Sequence, residues 1–344
     1  MKMDKIFIIF ITVFFSYVAP DCREQPSIEQ IIYNAFSSPQ VCYEGTKTMI
    51  NWSGKSTQAT ELKIFYCPPN KFRYEFKAPA LAAKRIIIND GNFEWQYEPK
   101  HKVVIKQEYQ KEPIENINNG VNMLLKNYNV ELSSQEENII GRESYIITVK
   151  SKPDNKILRK LWIDKKTNII LQNKWFKNGK IISISQFSKI DFPKKLPDNL
   201  FQFFHDKNIK VIKHNTPKTY FDIKELKKDV KFDILEPKNI PNNYTFKNGN
   251  ILYYRNKQIV HLHYTDGLNL ISLYESLSGF DFTPSANNLE KRFSNESLNK
   301  GLTSNELIEG YNIIRSKCKN INYVLIGNLD KKSLMKIDFY KERR

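Results

Sequence analysis

Near the start of the chain, Ile28, Ile31, Ile32, Ala35 and Phe36 recur at helical spacing and share one face. Ser27 and Gln30 have the spacing of a capping box at the start of this helix, and Pro39 ends it. From Val41 the period falls to two. Strand-like runs from Val41 to Trp52 and from Thr57 to Cys67 flank Gly54, and Pro68-Pro69 stop the second. Lys71 to Lys77, KFRYEFK, sets Phe72, Tyr74 and Phe76 on one face and charges on the other. Strands from Arg85 to Asn89 and from Asn92 to Tyr97 flank Asp90-Gly91, and Val103 to Ile105 forms another. Ile117, Val121, Leu124, Leu125 and Tyr128 then predict an amphipathic helix over Ile114 to Tyr128. A strand from Tyr145 to Lys150 follows Gly141-Arg142.

Leu161 to Phe192 reads as a three-stranded antiparallel meander. Its runs are Leu161 to Ile163, Ile169 to Phe176 and Ile181 to Phe187. Asn178-Gly179 joins the last two, and both central residues of a type I′ turn need positive φ. Leu196 to Lys231 is less regular, with Pro197, Pro217 and a lysine-rich end. Beyond it, Ile251 to Arg255 follows Asn248-Gly249. Gln258 to Tyr264 and Leu268 to Glu275 flank Asp266-Gly267. Ser276 to Gly301 is polar and reads as a long loop. Gly310 to Ser316 and Asn322 to Gly327 are strands. A final helix opens at Asp330 and carries Leu334, Ile337 and Tyr340.

These elements predict an α+β protein of two domains. Residues 23–200 form a curved antiparallel β half-barrel packed on helices, 201–231 a linker, and 232–344 a smaller α+β domain. A chain of 344 residues is long enough for two cores. The first 22 residues read as a signal peptide or an N-terminal anchor, because Lys2 and Lys5 precede the apolar run from Ile6 to Ala19. Tyr17 and Pro20 make a poor cleavage site, and Pro20-Asp21 before Cys22 do not form a lipobox. The formal net charge is +17, but lysine is spread along the chain. That pattern fits solvated faces and gives no reason to expect nucleic acid.

Export allows a disulfide. If the turn after Trp52 is centred on Gly54-Lys55, Ser53 faces Ser56 and the ladder runs on until Cys42 faces Cys67. Directly opposed residues point to the same side of a sheet, within reach of a bond. The chemistry of catalysis is missing. The chain has no GxSxG, HExxH, Walker loop, GxGxxG or CxxC. His261 and His263 share a strand face with no Cys or carboxylate placed to complete a metal site, so they read as structural. Asp90, Asp164 and Asp266 sit in turns, where Asp is favoured for backbone reasons. No enzyme, cofactor or metal is expected.

The order of local motifs resembles the RseB/MucB family, whose N-terminal domain is LolA-like. Tyr43-Glu44-Gly45-Thr46 is similar to the Y-x-G-T of that domain, and Asp90-Gly91 through Trp95 to Pro99 to its next hairpin. Gly141-Arg142 with Leu161-Trp162-Ile163-Asp164 resembles its "G-R…LW-x-D". Val260 to Ser272 is similar to the "Y-s-D-G-L" hairpin of the C-terminal domain, and Ile326-Gly327 to the closing segment, without its Pro. The resemblance implies a periplasmic sensor that binds the periplasmic domain of an anti-sigma factor and responds to lipid or mislocalised envelope components. The alternative is a LolA-like lipoprotein or lipid carrier. Either implies an acyl chain or apolar peptide in the sheet's concavity, with Tyr43, Phe65, Tyr74, Trp95, Trp162 and Trp175 as lining candidates. The second domain is expected to contact the partner protein.

Overall fold

The computed structural model describes residues 25–53, 56–79, 84–203, 208–213, 217–240, 243–254, 257–277 and 312–339. The N-terminal segment, the Gly54-Lys55 turn, Tyr340 and most of the expected loop after Ser276 lie outside them.

Helix α1 spans Ile28–Phe36, with the Ser27 side chain accepting the Gln30 N–H and Ile31 and Ile32 buried. Strands β1 (Tyr43–Ser53), β2 (Ser56–Cys67), β3 (Lys71–Ala78), β4 (Ile86–Asn89), β5 (Phe93–Glu98) and β6 (Val103–Glu108) pair antiparallel in sequence order. Helix α2 (Ile114–Asn127) follows, ending one residue before Tyr128. Tyr128 instead opens a strand that sequence periodicity misses, β7 (Tyr128–Leu132), and a second missed strand, β8 (Glu137–Ile139), lies close behind. Both pair with β9 (Arg142–Ser151). The meander is β10 (Ile157–Asp164), β11 (Ile170–Lys177) and β12 (Lys180–Asp191). Asn178 and Gly179 both have positive φ, as the type I′ reading requires. β12 closes back onto β1, so among the described residues thirteen strands make one curved sheet.

Register decides which side chains face inward. The row Ile64, Tyr74, Ile87, Gln96, Ile105 is directly opposed across β2 to β6 on one face. The row Phe65, Arg73, Ile88, Trp95, Lys106 lies on the other. Helices α1 and α2 cover β9 and β10 on the inner side, with Ile31, Ile32, Val121, Leu124, Ile147, Val149, Leu161 and Ile163 in one core.

The stretch 201–231, expected as a linker, carries structure. Lys210–Lys213 forms β13, which adds to β6 in parallel. Thr219–Tyr220 forms β14, which pairs with the second sheet, and Ile223–Asp229 is helix α3. The second sheet adds β15 (Thr245–Tyr254), β16 (Lys257–Thr265), β17 (Leu270–Leu277), β18 (Asn312–Cys318) and β19 (Ile321–Gly327), in the order β14-β15-β16-β17-β19-β18. Asn248-Gly249 lies inside β15 rather than before a strand. The reason for its glycine is packing: a Cβ on Gly249 would stand 2.4 Å from Leu226 of α3. The last helix, α4, is only Lys331–Met335, with Ile337 buried beyond its end. Leu226, Leu235, Leu262, Leu273, Leu325 and Leu334 centre this second core.

The two halves meet at the β16–β17 hairpin. Gly267, at φ +94°, lies against the backbone of α2, so close that a Cβ would be 2.4 Å from the Leu124 nitrogen. Leu268 packs into the core beneath α1 and α2. Tyr128 Oη donates to Asp266 Oδ2 (2.6 Å), and Asn127 Nδ2 donates to the Asp266 carbonyl (2.8 Å). Lys247 pairs with Glu112 at 3.1 Å.

Candidate functional site

The inner face of the first sheet carries an apolar cavity of about 200 Å³. Its wall is built from alternate residues of four strands: Tyr43 and Met49 of β1, Leu62 and Ile64 of β2, Tyr74 and Phe76 of β3, and Phe187 of β12. The C-terminal turn of α1 supplies Asn34 and Ala35, and the β10–β11 turn supplies Thr167, Asn168 and Ile169.

Local chemistry fixes each part of this wall. Tyr43 stacks on Tyr66 at 5.3 Å and meets Phe187 edge-on at 6.0 Å. Gly45 stands just before the register shift between β1 and β12 at Thr46/Lys47, and a Cβ on it would stand 2.5 Å from the Lys189 carbonyl. The β10–β11 turn hangs on Asp164, a carboxylate only 1% exposed. Asp164 accepts from the Lys166 N–H (2.9 Å), the Thr167 hydroxyl (3.1 Å) and the Arg142 guanidinium. Arg142 also lies over the Phe192 ring. The arginine and aspartate of the "G-R…LW-x-D" pattern are therefore an ion pair that positions the cavity's turn.

Burial holds the phenols of the wall neutral. It pushes Tyr66 up to about 12 and raises Tyr43 and Tyr74 well above the usual range. Each exposes apolar ring surface to the cavity or to its lining and resists ionisation.

Of the predicted lining residues, the structure brings Tyr43 and Tyr74 to the cavity. Phe65 and Trp95 stand in the outer row. Phe65 packs with Cys67, Leu196 and Phe201. Trp95 stacks on Phe203 at 6.0 Å and donates to Asp90 Oδ2. Trp162, also outward, donates to Glu137 Oε2 at 2.8 Å and carries Lys174 over its ring. Trp175 shares the inner side but lies under the Arg159 guanidinium near the far end of the sheet. Met49, Leu62, Ile64 and Phe187 were reachable by the same period of two, but alternation does not say which face is concave.

Cys42 and Cys67 are bonded, with Cα atoms 4.2 Å apart. The ladder runs from Ser53 opposite Ser56 to Tyr43 opposite Tyr66 with no shift, the register the turn chemistry predicts. His263 Nδ1 lies 2.7 Å from Asn248 Oδ1, and His261 stacks on Tyr274 at 3.8 Å. Among the described residues no group of three His, Cys, Asp or Glu side chains is placed to hold a metal ion. No described helix is long and apolar enough to cross a membrane.

Residues 49–204 match the family model described as outer membrane lipoprotein carrier protein LolA. The structure of the complex of MucA and MucB from Pseudomonas aeruginosa aligns with a TM-score of 0.53 at 12% identity, covering 90% of this chain and 94% of that one. A second structure, of MucB in complex with periplasmic MucA, gives the same figures. The chain thus has the fold of MucB across both sheets, as the motif order predicted. A protein of Methanocaldococcus jannaschii is 25% identical over 229 residues, and the match takes in 63% of each chain.

Proposed function

We propose that this chain is a regulatory protein of the cell envelope that binds the extracytoplasmic segment of a membrane-spanning anti-sigma factor and takes an apolar chain into the cavity of its first domain. The observation that carries the reading is the two-sheet architecture. A LolA-type carrier corresponds to the first sheet alone, and the family match ends at residue 204. The likeness to MucB, a protein solved with MucA bound, extends over the second sheet as well. The Cys42–Cys67 bond supports an oxidising, exported location, and Lys2 and Lys5 ahead of the apolar run from Ile6 to Ala19 support delivery there. The test is calorimetric titration of the full chain with the extracytoplasmic segments of single-span proteins encoded beside it. Saturable binding of one such segment is expected. Absence of binding by all of them overturns the regulatory reading.

The second reading, a lipid or lipoprotein carrier, is favoured by the LolA match and the cavity. A carrier moves a labelled lipid from donor to acceptor vesicles at a rate that scales with protein concentration. A regulator binds the lipid without accelerating transfer.

A further inference from the structure

Beyond the cavity, the inner face of the first sheet changes character. Leu62, Lys47 and Phe187 form one row across β2, β1 and β12, and all three line the cavity. The next row toward the tips of the β1–β2 and β11–β12 hairpins is Thr60, Met49, Ser185 and Asn173. The row after it is Gln58, Asn51, Ser183 and Trp175. Successive rows are roughly 7 Å apart along a strand, so a polar surface begins at Met49, where the cavity wall ends. Asn51, Asn173, Ser183 and Ser185 are each 8% exposed or less. Ser183 Oγ donates to Asn51 Oδ1 at 2.6 Å, which leaves the Asn51 amide its N–H donors. Arg159 stands opposite Trp175, donates through Nε to Asn173 Oδ1 at 2.9 Å and lies over the Trp175 ring, so it positions both. The Trp175 indole N–H is buried and has no hydrogen-bond partner among the described residues. Lys47 lies on the other side of Met49, with its ammonium over the Phe187 ring. The two polar rows hold no carboxylate.

We propose that these rows are a head-group subsite: Asn51, Asn173, Ser183, Ser185 and the Trp175 indole take the uncharged, hydroxyl-bearing head of an amphiphile whose chain lies in the cavity. This rests on the reading of the cavity as an apolar-chain site. The inventory of groups selects the head. Amide and indole N–H groups donate, serine oxygens also accept, and a hydroxyl can answer both. A carboxylate head only accepts, so it would leave the serine lone pairs unused and bring a charge into a buried neutral surface. A head with no hydroxyl would bury the same donors and acceptors without partners. An apolar pocket with a few convergent polar groups at one end is the usual form of a site that fixes a ligand's orientation.

Calorimetric titration of the full chain with decanoylglycerol, decyl glucoside, decanol and decanoate tests this. The better of the two polyol heads binds at least about fivefold more tightly than decanol and decanoate, as two or more added hydrogen bonds require. Preference for decanoylglycerol points to a glycerolipid and preference for the glucoside to a glycolipid, and either supports the assignment. Asn51→Ala/Ser183→Ala removes a bonded pair together and so leaves neither partner orphaned. It brings the polyols to within about twofold of decanol and leaves decanol unchanged, which also reports an intact cavity. If that variant no longer binds decanol, Ser185→Ala decides: a loss of about threefold or more in polyol affinity, with decanol unmoved, supports the subsite, and a smaller loss overturns it. Decanol or decanoate within about fivefold of the better polyol, or a polyol preference retained in the double variant, overturns the head-group assignment and leaves the apolar site standing. Failure of all four probes to bind overturns both.

Discussion

Removing the Cys42–Cys67 bond should destabilise the first domain by an amount its position in the chain fixes in advance. The two residues are 25 apart in sequence. Opening a loop of that size returns about 12 cal/mol/K of entropy to the unfolded chain, or about 3.5 kcal/mol at 25 °C. The bond lies on the outer side of the sheet beside Phe65, Leu196 and Phe201. Serine would therefore add unpaired hydroxyls to an apolar cluster, at about 1–3 kcal/mol each. Alanine avoids that second effect. A Cys42→Ala/Cys67→Ala double variant is expected to lose about 3–4 kcal/mol. With a urea m-value of about 2 kcal/mol/M, its midpoint moves down by roughly 1.5–2 M. Wild-type protein held reduced should unfold within about 1 kcal/mol of the variant, because both lack the same constraint. The assay is equilibrium urea unfolding followed by far-UV circular dichroism. Midpoints of oxidised, reduced and double-alanine protein that coincide would refute the argument. So would peptide mapping that finds both thiols alkylated without reductant.

Other outcomes follow from single residues. Arg142→Met leaves the buried Asp164 carboxylate without its cation, and about 3–5 kcal/mol should be lost, together with amphiphile binding, since the cavity's turn hangs on that carboxylate; urea midpoints and the decanol titration check both. Burial raises the Glu275 carboxyl well above its ordinary value, although the Leu235 N–H donates to it. Its proton is held in the fold and released on unfolding, so its contribution is full below the ordinary value of 4.5. That contribution declines as pH rises toward the folded value, by at most about 1.4 kcal/mol per unit. Glu275→Gln should remove this slope when midpoints are compared from pH 4.5 upward. The buried His261, lowered below 6.5, gives a slope of opposite sign that cancels in the comparison. Gly267→Ala sets a Cβ into the α2 backbone at positive φ and should undock the hairpin, seen as a larger radius of gyration by small-angle scattering. Tyr128→Phe should cost about 1–3 kcal/mol by leaving Asp266 Oδ2 short of a donor.

Legibility from sequence was greatest where backbone chemistry is local. Asn178-Gly179 announces its own turn, and the registers of β1 and β2 follow from a turn two residues long, which is why the pairing of Cys42 with Cys67 could be derived. Tyr128–Leu132, YNVEL, was hidden because no Gly or Pro separates it from α2, and Glu131 and Leu132 are good helix formers. Pairing with β9 overrides that preference. The cavity was half legible. A period of two sorts Phe65 from Ile64, and Trp95 from Gln96, but assigns neither set to the concave side. Tryptophan content pointed toward the site and misled, because Trp95 and Trp162 each satisfy an indole N–H outside it, on Asp90 and Glu137.

The Asp266-Gly267 turn shows where local reading ends and tertiary structure begins. Asp266 accepts the Leu268 and Asn269 N–H groups through Oδ1, at 2.9 and 2.7 Å, and those bonds alone explain its place in a turn. The other oxygen, Oδ2, binds Tyr128 of the first sheet, and the glycine beside it meets α2. One turn therefore does two things: it folds a hairpin of the second sheet and docks that hairpin on the first. Helix α2 packs with α1 in the same core, and α1 supplies Asn34 and Ala35 to the cavity. The α1–α2 pair touches both the cavity and the docked hairpin, which makes it the element on which to test for coupling between cavity and second domain. The Gly267→Ala variant separates the cases. If it undocks the hairpin while decanol affinity stays within about twofold, the two sites are thermodynamically independent; a change beyond that measures their coupling.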